Sequence, residues 1–422
     1  MRHIFATALA VAGALFATPE RAAKDDFEKD FEFLCREIAS TYAYFDAKAT
    51  SWADVPRLYA ADLRRVATRE EFIGLLERVL DELYDPHAQL TVNTASSPRL
   101  VPSGADLWAE WVGGRAVITE VRAGSDAERA AIVPGSVVVA IDGTPISDAV
   151  ESRLGRTYAH TVAAARDWCL RAVLAGRHDT RRSLELRDGD TTRTRTVELP
   201  ARDQFGAAEA TPVIHSQPRP GIGHVRFNDS LGDDRTVAAF DRALDELRET
   251  RALILDLRDT PSGGNSRVAR GILGRFVTRD SPYQKHVLTS EEHETGIRRS
   301  WLELVSPRGA FVYRRPVAVL VDHWTGSMGE GVAIGLSAVD SATIIGTPMA
   351  GLAGATYPLK LPRTGIGVNV PAERLYHVDG TPRETFRPNV VVDVSRSHVG
   401  EDPFLTAALL ALGEKSPTSP PP

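Results

Sequence analysis

Apolar residues recur at helical spacing near the start of the chain, and as alternating or unbroken runs further on. Phe27, Phe31, Leu34, Ile38 and Tyr42 mark one face of a helix. A second helix is predicted to open at Thr68, where Thr68 and Glu71 form a capping-box pattern. It runs through Phe72, Leu75, Leu76, Val79, Leu80 and Leu83 and ends at Asp85-Pro86, because the residue before proline is pushed out of the helical region. His87 therefore lies just past a helix end. Residues 24–95 are read as an N-terminal helical region. Ahead of it, Arg2 and His3 precede an apolar run, Ile4–Phe16, followed by small residues at Ala17, Ala22 and Ala23. That is the layout of a secretory signal peptide, assigned to residues 1–23, and it predicts an exported protein, periplasmic or secreted. The run is short for a bilayer, and no later segment approaches the roughly 20 apolar residues of a membrane helix. No membrane span is expected.

The pattern changes after residue 95. Val117–Val121 alternates as a strand. Then come Asp126–Ala130 with helical character, a Pro134-Gly135 turn, the apolar run Val137–Ile141 and an Asp142-Gly143 turn. Thr161–Leu174 reads as a helix, and Ser183–Leu199 as two strands across Asp188-Gly189. This succession over residues 96–202 resembles a PDZ domain, with Ser103-Gly104-Ala105-Asp106-Leu107 near the place of its carboxylate-binding loop. Pro134-Gly135-Ser136 stands where Pro-Gly-Asp is usual.

From residue 203 to 415, strands and helices alternate. Strands are predicted at Ile222–Phe227, Ala252–Leu257, Val317–Asp322, Thr343–Ile345, Tyr357–Leu361 and Gly367–Val370. Helices are predicted at Arg235–Arg248, Arg267–Phe276 and from Met328 to Ala338. Continuous apolar strands joined by helices imply an α/β layered core. The Pro/Ser-rich tail, residues 416–422, is expected to be disordered.

Composition adds limits. With 43% hydrophobic and 25% charged residues, the chain can bury real cores. A net charge of −6 gives no general affinity for nucleic acid. Cys35 and Cys169 fall in apolar helical contexts in different regions and are read as buried free thiols. No metal-ligand spacing, phosphate loop or cofactor motif is present.

Two turns carry candidate chemistry. Thr325-Gly326-Ser327-Met328-Gly329-Glu330 follows an apolar strand and opens a helix. A serine there faces the free amides and positive dipole end of the helix, so that the Met328 amide can help bind a developing oxyanion. The same serine could simply cap the helix. The second turn, Asp259-Thr260-Pro261-Ser262-Gly263-Gly264-Asn265, also follows an apolar strand, and paired glycines let backbone amides approach a ligand closely.

Together, Asp-Leu-Arg…Pro…Gly-Gly at 256–264 and Gly-Ser-x-x-Glu at 326–330 resemble the C-terminal processing (tail-specific) protease superfamily of serine peptidases. The helical front, Asp85-Pro86-His87, the PDZ-like insertion and Asp379-Gly380…Glu384 agree with it. The resemblance implies a crotonase-like (ClpP/crotonase) catalytic core, Ser327 as nucleophile and a polypeptide substrate cut near its C-terminus. It implies an oxyanion hole from Met328 with Gly263 or Gly264, the residue Ser262 leaving the choice between the glycines open. One departure stands out: lysine-dependent members carry their dyad lysine in the segment that here reads Gly346–Ala353, and Leu352 takes its place. Lys360 is the nearest later lysine, in an alternating strand. The tricorn-type branch uses a histidine instead. His87 matches that base, whose ordinary pKa suits proton transfer near neutrality, and Glu384 matches the supporting glutamate. Pro86 stands where that branch has a serine. His323, close to Ser327 in sequence, is a reserve base. The rival readings are a non-catalytic pseudoprotease binding peptides through its PDZ-like domain, and a hydrolase of small esters or amides.

Overall fold

The computed structural model describes residues 19–189, 193–201, 211–396 and 401–413. Most of the expected signal peptide and all of the expected tail lie outside them. Three sheets organise the chain.

The central sheet is parallel through Ile222–Phe227, Ala252–Asp256, Val317–Val321, Thr343–Gly346 and Val390–Val391, with Val213–Arg219 antiparallel on one edge. Its strands Ala252–Asp256 and Val317–Val321 are buried on both faces, which is why they read as apolar runs. Leu253, Leu255, Val317, Val319 and Val321 face the helices Arg235–Glu246, Ser266–Leu273 and Met328–Asp340. Ala252, Ile254, Ala318 and Leu320 face the helix Pro403–Ala411 through Phe404 and Ala408. Both candidate turns leave the carboxyl ends of adjacent strands in this sheet, Ala252–Asp256 and Val317–Val321, and Thr260 and Thr325 bridge them.

The second sheet is antiparallel, in the order Gln89–Leu90, Gly367–Tyr376, Ser281–Leu288, Arg299–Val305, with Ala355–Lys360 also on Gly367–Tyr376. The N-terminal helices pack on it: Phe31, Leu34, Phe72, Leu76 and Val79 share a core with Val368 and Val370. Helix Pro19–Thr41 carries the first predicted stripe, and helix Arg69–Leu80 opens with the Thr68/Glu71 capping box. The second helix tightens to a 3₁₀ turn at Asp81–Leu83, and Tyr84 adopts a left-handed conformation at φ +33°. His87 follows in a turn and leads into Gln89–Leu90, which ties it to the strand Gly367–Tyr376.

The third sheet spans Leu107–Val112, Arg115–Val121, Ser136–Ile141, Arg182–Asp188 and Thr194–Leu199, with helix Ala163–Ala175 against it. The Asp142-Gly143 turn has both residues at positive φ, the geometry that Asp-Gly favours in tight hairpins. Trp324, fully buried, docks this unit on the central sheet by donating Nε1–H to the Ala105 oxygen at 2.7 Å. Both cysteines are buried free thiols.

Candidate active site

Ser327 sits between the strand Val317–Val321 and the helix Met328–Asp340, with φ 50° and ψ −108°. Non-glycine residues seldom occupy that region, and holding one there costs roughly 1–3 kcal/mol. The turn is over-determined by its surroundings. The Thr325 hydroxyl donates to the Leu257 oxygen at 3.0 Å. Gly329 packs so closely that a Cβ there would lie 2.3 Å from Thr260 Oγ1. The Ser327 N–H donates to the Glu330 carboxylate at 2.9 Å.

Glu330 is fully buried and binds two segments at once. Besides the Ser327 amide, it accepts the N–H groups of Gly351 at 3.0 Å and Leu352 at 3.2 Å. Burial pushes its pKa to about 7, against the pull of Arg383 and the three amides. The strap 351–354 is thereby fastened beside the nucleophile turn. Arg383, buried, holds the strap's other side by donating to the oxygens of Leu352 at 3.1 Å and Gly354 at 2.7 Å.

His87 reaches the same strap. Its Nδ1 lies 2.7 Å from the Ala353 oxygen. A carbonyl only accepts, so Nδ1 carries the proton and donates, and Nε2 keeps its lone pair. The Asp85 carboxylate fixes the turn, accepting the His87 N–H at 3.0 Å and the Tyr42 hydroxyl at 2.7 Å. Burial lowers the His87 pKa, with Arg383 adding to the effect and the bond to Ala353 opposing it.

The glycine turn meets Ser327 directly. Gly263, at φ +67°, is so close that a Cβ on it would lie 2.5 Å from Ser327 Cβ and 3.1 Å from the Met328 nitrogen. Its own N–H donates to the Thr260 oxygen at 3.1 Å. A Cβ on Gly264 would fall 2.1 Å from the Leu231 oxygen. Ser262, the extra residue of this turn, is held by Asp229, which accepts both its N–H at 2.9 Å and its hydroxyl at 2.6 Å.

Glu384 follows Arg383 and is half-buried, its pKa raised by that burial. Asp85 and Arg383 act electrostatically on both Glu384 and His87, while the imidazole's hydrogen bond goes to Ala353. Lys48 comes in from the N-terminal region, Nζ 3.3 Å from the Tyr84 oxygen and 4.4 Å from the centre of its ring; burial lowers its pKa. The reserve base is bonded elsewhere: His323 Nδ1 lies 2.5 Å from Glu120 and its ring stacks on Trp108. Among the described residues no cluster of His, Cys, Asp and Glu could hold a metal ion, and no helix is long and apolar enough to cross a membrane.

Residues 221–392 match peptidase family S41, and residues 23–81 match the tricorn protease C1 domain. By these matches the chain is similar to the C-terminal processing protease superfamily. It is accordingly a serine-type peptidase, acting on polypeptides. Its fold is shared with two solved superfamily structures. The photosystem II D1 C-terminal processing protease gives a TM-score of 0.57 at 20% identity, over 92% of this chain and 98% of that one. Mature CPAF gives 0.58 at 17%, over 88% and 93%.

Leu352 stands at the position matched above to the dyad lysine of lysine-dependent members. That side chain is buried and faces the nucleophile turn, its Cδ1 lying 3.4 Å from where a Cβ on Gly326 would be. Lys360 is exposed on the strand Ala355–Lys360, against Gly365. Sequence reasoning passed over Asp85, Arg383 and Ala353 as neighbours of His87 and its strap. Asp85 and Arg383 are near neighbours of His87 and Glu384 in sequence, and that was the available signal. Ala353 acts through its main chain, which leaves no mark on residue identity.

Proposed function

We propose that this peptidase works with Ser327 as nucleophile, His87 as general base and Glu384 in support. The observation that carries the reading is the His87–Ala353 hydrogen bond. It commits Nδ1 as donor, frees Nε2 to take a proton, and anchors the ring to the strap that Glu330 fastens to Ser327. Burial keeps the imidazole neutral near pH 7, the form a base requires. A strained serine at a strand-to-helix turn suits an exposed nucleophile.

In this mechanism Nε2 of His87 accepts the Ser327 proton as Oγ attacks the peptide carbonyl, and later returns it to the leaving amine. The oxyanion is met by the Met328 amide at the helix N-terminus and by the glycine turn. Because the Gly263 N–H already serves Thr260, Gly264 is the better donor and Gly263 the residue that lets the turn approach. In this reading the Glu384 carboxylate favours the imidazolium as it forms.

The 203–415 region is read as crotonase-like and the 96–202 unit as PDZ-like. Export through the signal-like 1–23 segment gives the enzyme exported polypeptides as substrates. No cofactor enters the mechanism. The pseudoprotease reading is less well supported. Strand addition would use the edge strand Leu107–Val112, but Asp167 already accepts the Trp111 N–H at 2.9 Å and Arg171 lies 3.5 Å from the Ala109 oxygen. In the expected carboxylate loop, Asp106 is buried and paired with Arg182 at 2.7 Å, so that a second carboxylate there would meet a negative charge.

The test is covalent labelling by a fluorophosphonate together with hydrolysis of an unfolded protein such as casein. Both should vanish in Ser327→Ala, and labelling should vanish in His87→Ala. Persistence of cleavage in Ser327→Ala would reject the nucleophile; persistence of labelling in His87→Ala would reject the base.

A further inference from the structure

Two polar atoms behind the site lack partners. Tyr44 is 4% exposed and its hydroxyl makes no hydrogen bond, and neither does Oε2 of Glu384. Buried polar atoms are rarely left so, because stranding one forfeits its hydration without return. The two are electrostatic neighbours. Glu384 is the charged group acting most strongly on the Tyr44 phenol, ahead of Arg383, Asp85 and Arg374. Lys48, in turn, feels both Asp85 and Glu384.

The phenol also touches the strap. Tyr44 Oη lies 2.8 Å from where a Cβ on Gly354 would stand, and the Glu373 oxygen lies 2.0 Å from the same point, at a residue with φ +51°. Gly354 directly follows Ala353, whose oxygen receives the His87 proton. Arg374 stacks on the Tyr44 ring at 5.1 Å and holds it in place.

We propose that Tyr44 is a positioning residue for the general base: its hydroxyl donates to Glu384, and the pair clamps Gly354 so that the Ala353 oxygen keeps His87 aligned. An ionised carboxylate only accepts, which fixes the direction of that bond. Because the hydroxyl acts through the Ala353 oxygen, the effect falls on reactivity rather than on binding. The inference rests on the Ser327/His87 reading proposed above.

Tyr44→Phe removes the hydroxyl and keeps the ring. Its rate of labelling by a fluorophosphonate should fall about 10- to 100-fold, the usual cost of a misplaced catalytic group. The acid limb of that rate should move further down, because loosening the bond to Ala353 removes a contact that raises the His87 pKa. Asp85 and Arg383, the charged groups that face His87, are untouched by this change. Since the two residues act as a unit, Tyr44→Phe with Glu384→Gln should label no more slowly than the slower single variant. A wild-type rate and acid limb in Tyr44→Phe would overturn the proposal, as would losses that multiply in the double variant. A readout independent of activity is the ¹⁹F resonance of 3-fluorotyrosine at position 44, assigned through Tyr44→Phe. It should shift in Glu384→Gln, and an unmoved resonance also overturns the pairing. Ser327→Ala and His87→Ala decide the underlying mechanism separately. If both abolish labelling while Tyr44→Phe is silent, only the role of Tyr44 falls.

Discussion

The carboxylate of Glu330 accepts the main-chain N–H of Leu352 at 3.2 Å, so the position that carries the dyad lysine in lysine-dependent relatives is fastened to the nucleophile turn through its backbone alone. The leucine side chain fills space there and contributes no proton acceptor. Restoring the lysine should therefore not restore a dyad. Leu352→Lys is expected to lower the melting temperature by several degrees, since an ammonium must be desolvated. It should leave fluorophosphonate labelling no faster than wild type at pH 7–8 and still dependent on His87. Labelling that survives Leu352→Lys/His87→Ala would show that the lysine can serve.

The strained backbone at Ser327 predicts opposite outcomes for two variants. Ser327→Gly removes the Cβ penalty at φ +50° and should stabilise the fold by about 1 kcal/mol. Ser327→Ala keeps the penalty and should leave stability near wild type. Either should reduce kcat/KM by about 10⁴-fold or more. Urea titration and casein hydrolysis measure both effects.

Under the proposed mechanism His87 sets the acid limb. Because burial depresses its pKa in the folded state, the neutral base persists below the ordinary value of about 6.5. The acid limb of kcat/KM should lie under that value. The linkage has the matching sign: the unfolded chain takes up this proton first, so the stability due to neutral His87 is intact above about 6.5 and lost as the pH falls. An acid limb above 6.5 would contradict the burial argument.

Glu330 has the opposite sign. Its folded value, about 7, exceeds the unfolded value of 4.5, so the folded protein holds the extra proton between them. Its contribution is complete below about 4.5 and declines as the pH rises toward 7. Asp81, pushed to about 6, and Asp340, to about 7, act in the same direction. Glu330→Gln should flatten this part of the stability–pH curve in chemical denaturation. An unchanged slope would mean that Glu330 is ionised throughout.

The two glycines of the oxyanion turn should fail differently when changed to alanine. Gly263→Ala places a methyl group against Ser327 at positive φ, and should cost about 100-fold or more in kcat with a folded protein remaining. Gly264→Ala drives a methyl into the Leu231 backbone and should compromise folding itself. Circular dichroism melts alongside labelling separate the two outcomes.

Much of the fold was legible because the central strands are buried on both faces and so announce themselves as apolar runs. Ala252–Asp256 and Val317–Val321 are the clearest examples. The strand Arg299–Val305 escaped notice, since most of it is exposed and its residues neither alternate nor form an apolar run. Val213–Arg219, an exposed edge interrupted by Pro218, was hidden for the same reason. In the site, Ser327 and the glycine pair were readable because each follows an apolar strand, which fixes where a turn must fall.

What the sequence by itself determined was therefore local: which segments are strands, where the turns lie, and that a serine stands at the head of a helix. The tertiary structure decided which groups converge. His87 meets the strap at Ala353 through a main-chain oxygen, and Tyr44, Glu384 and Arg383 gather around the same four residues from distant parts of the chain. Carbonyl acceptors, buried hydroxyls and van der Waals clearances depend on how sheets and helices stack, and spacing along the chain carries no record of that stacking.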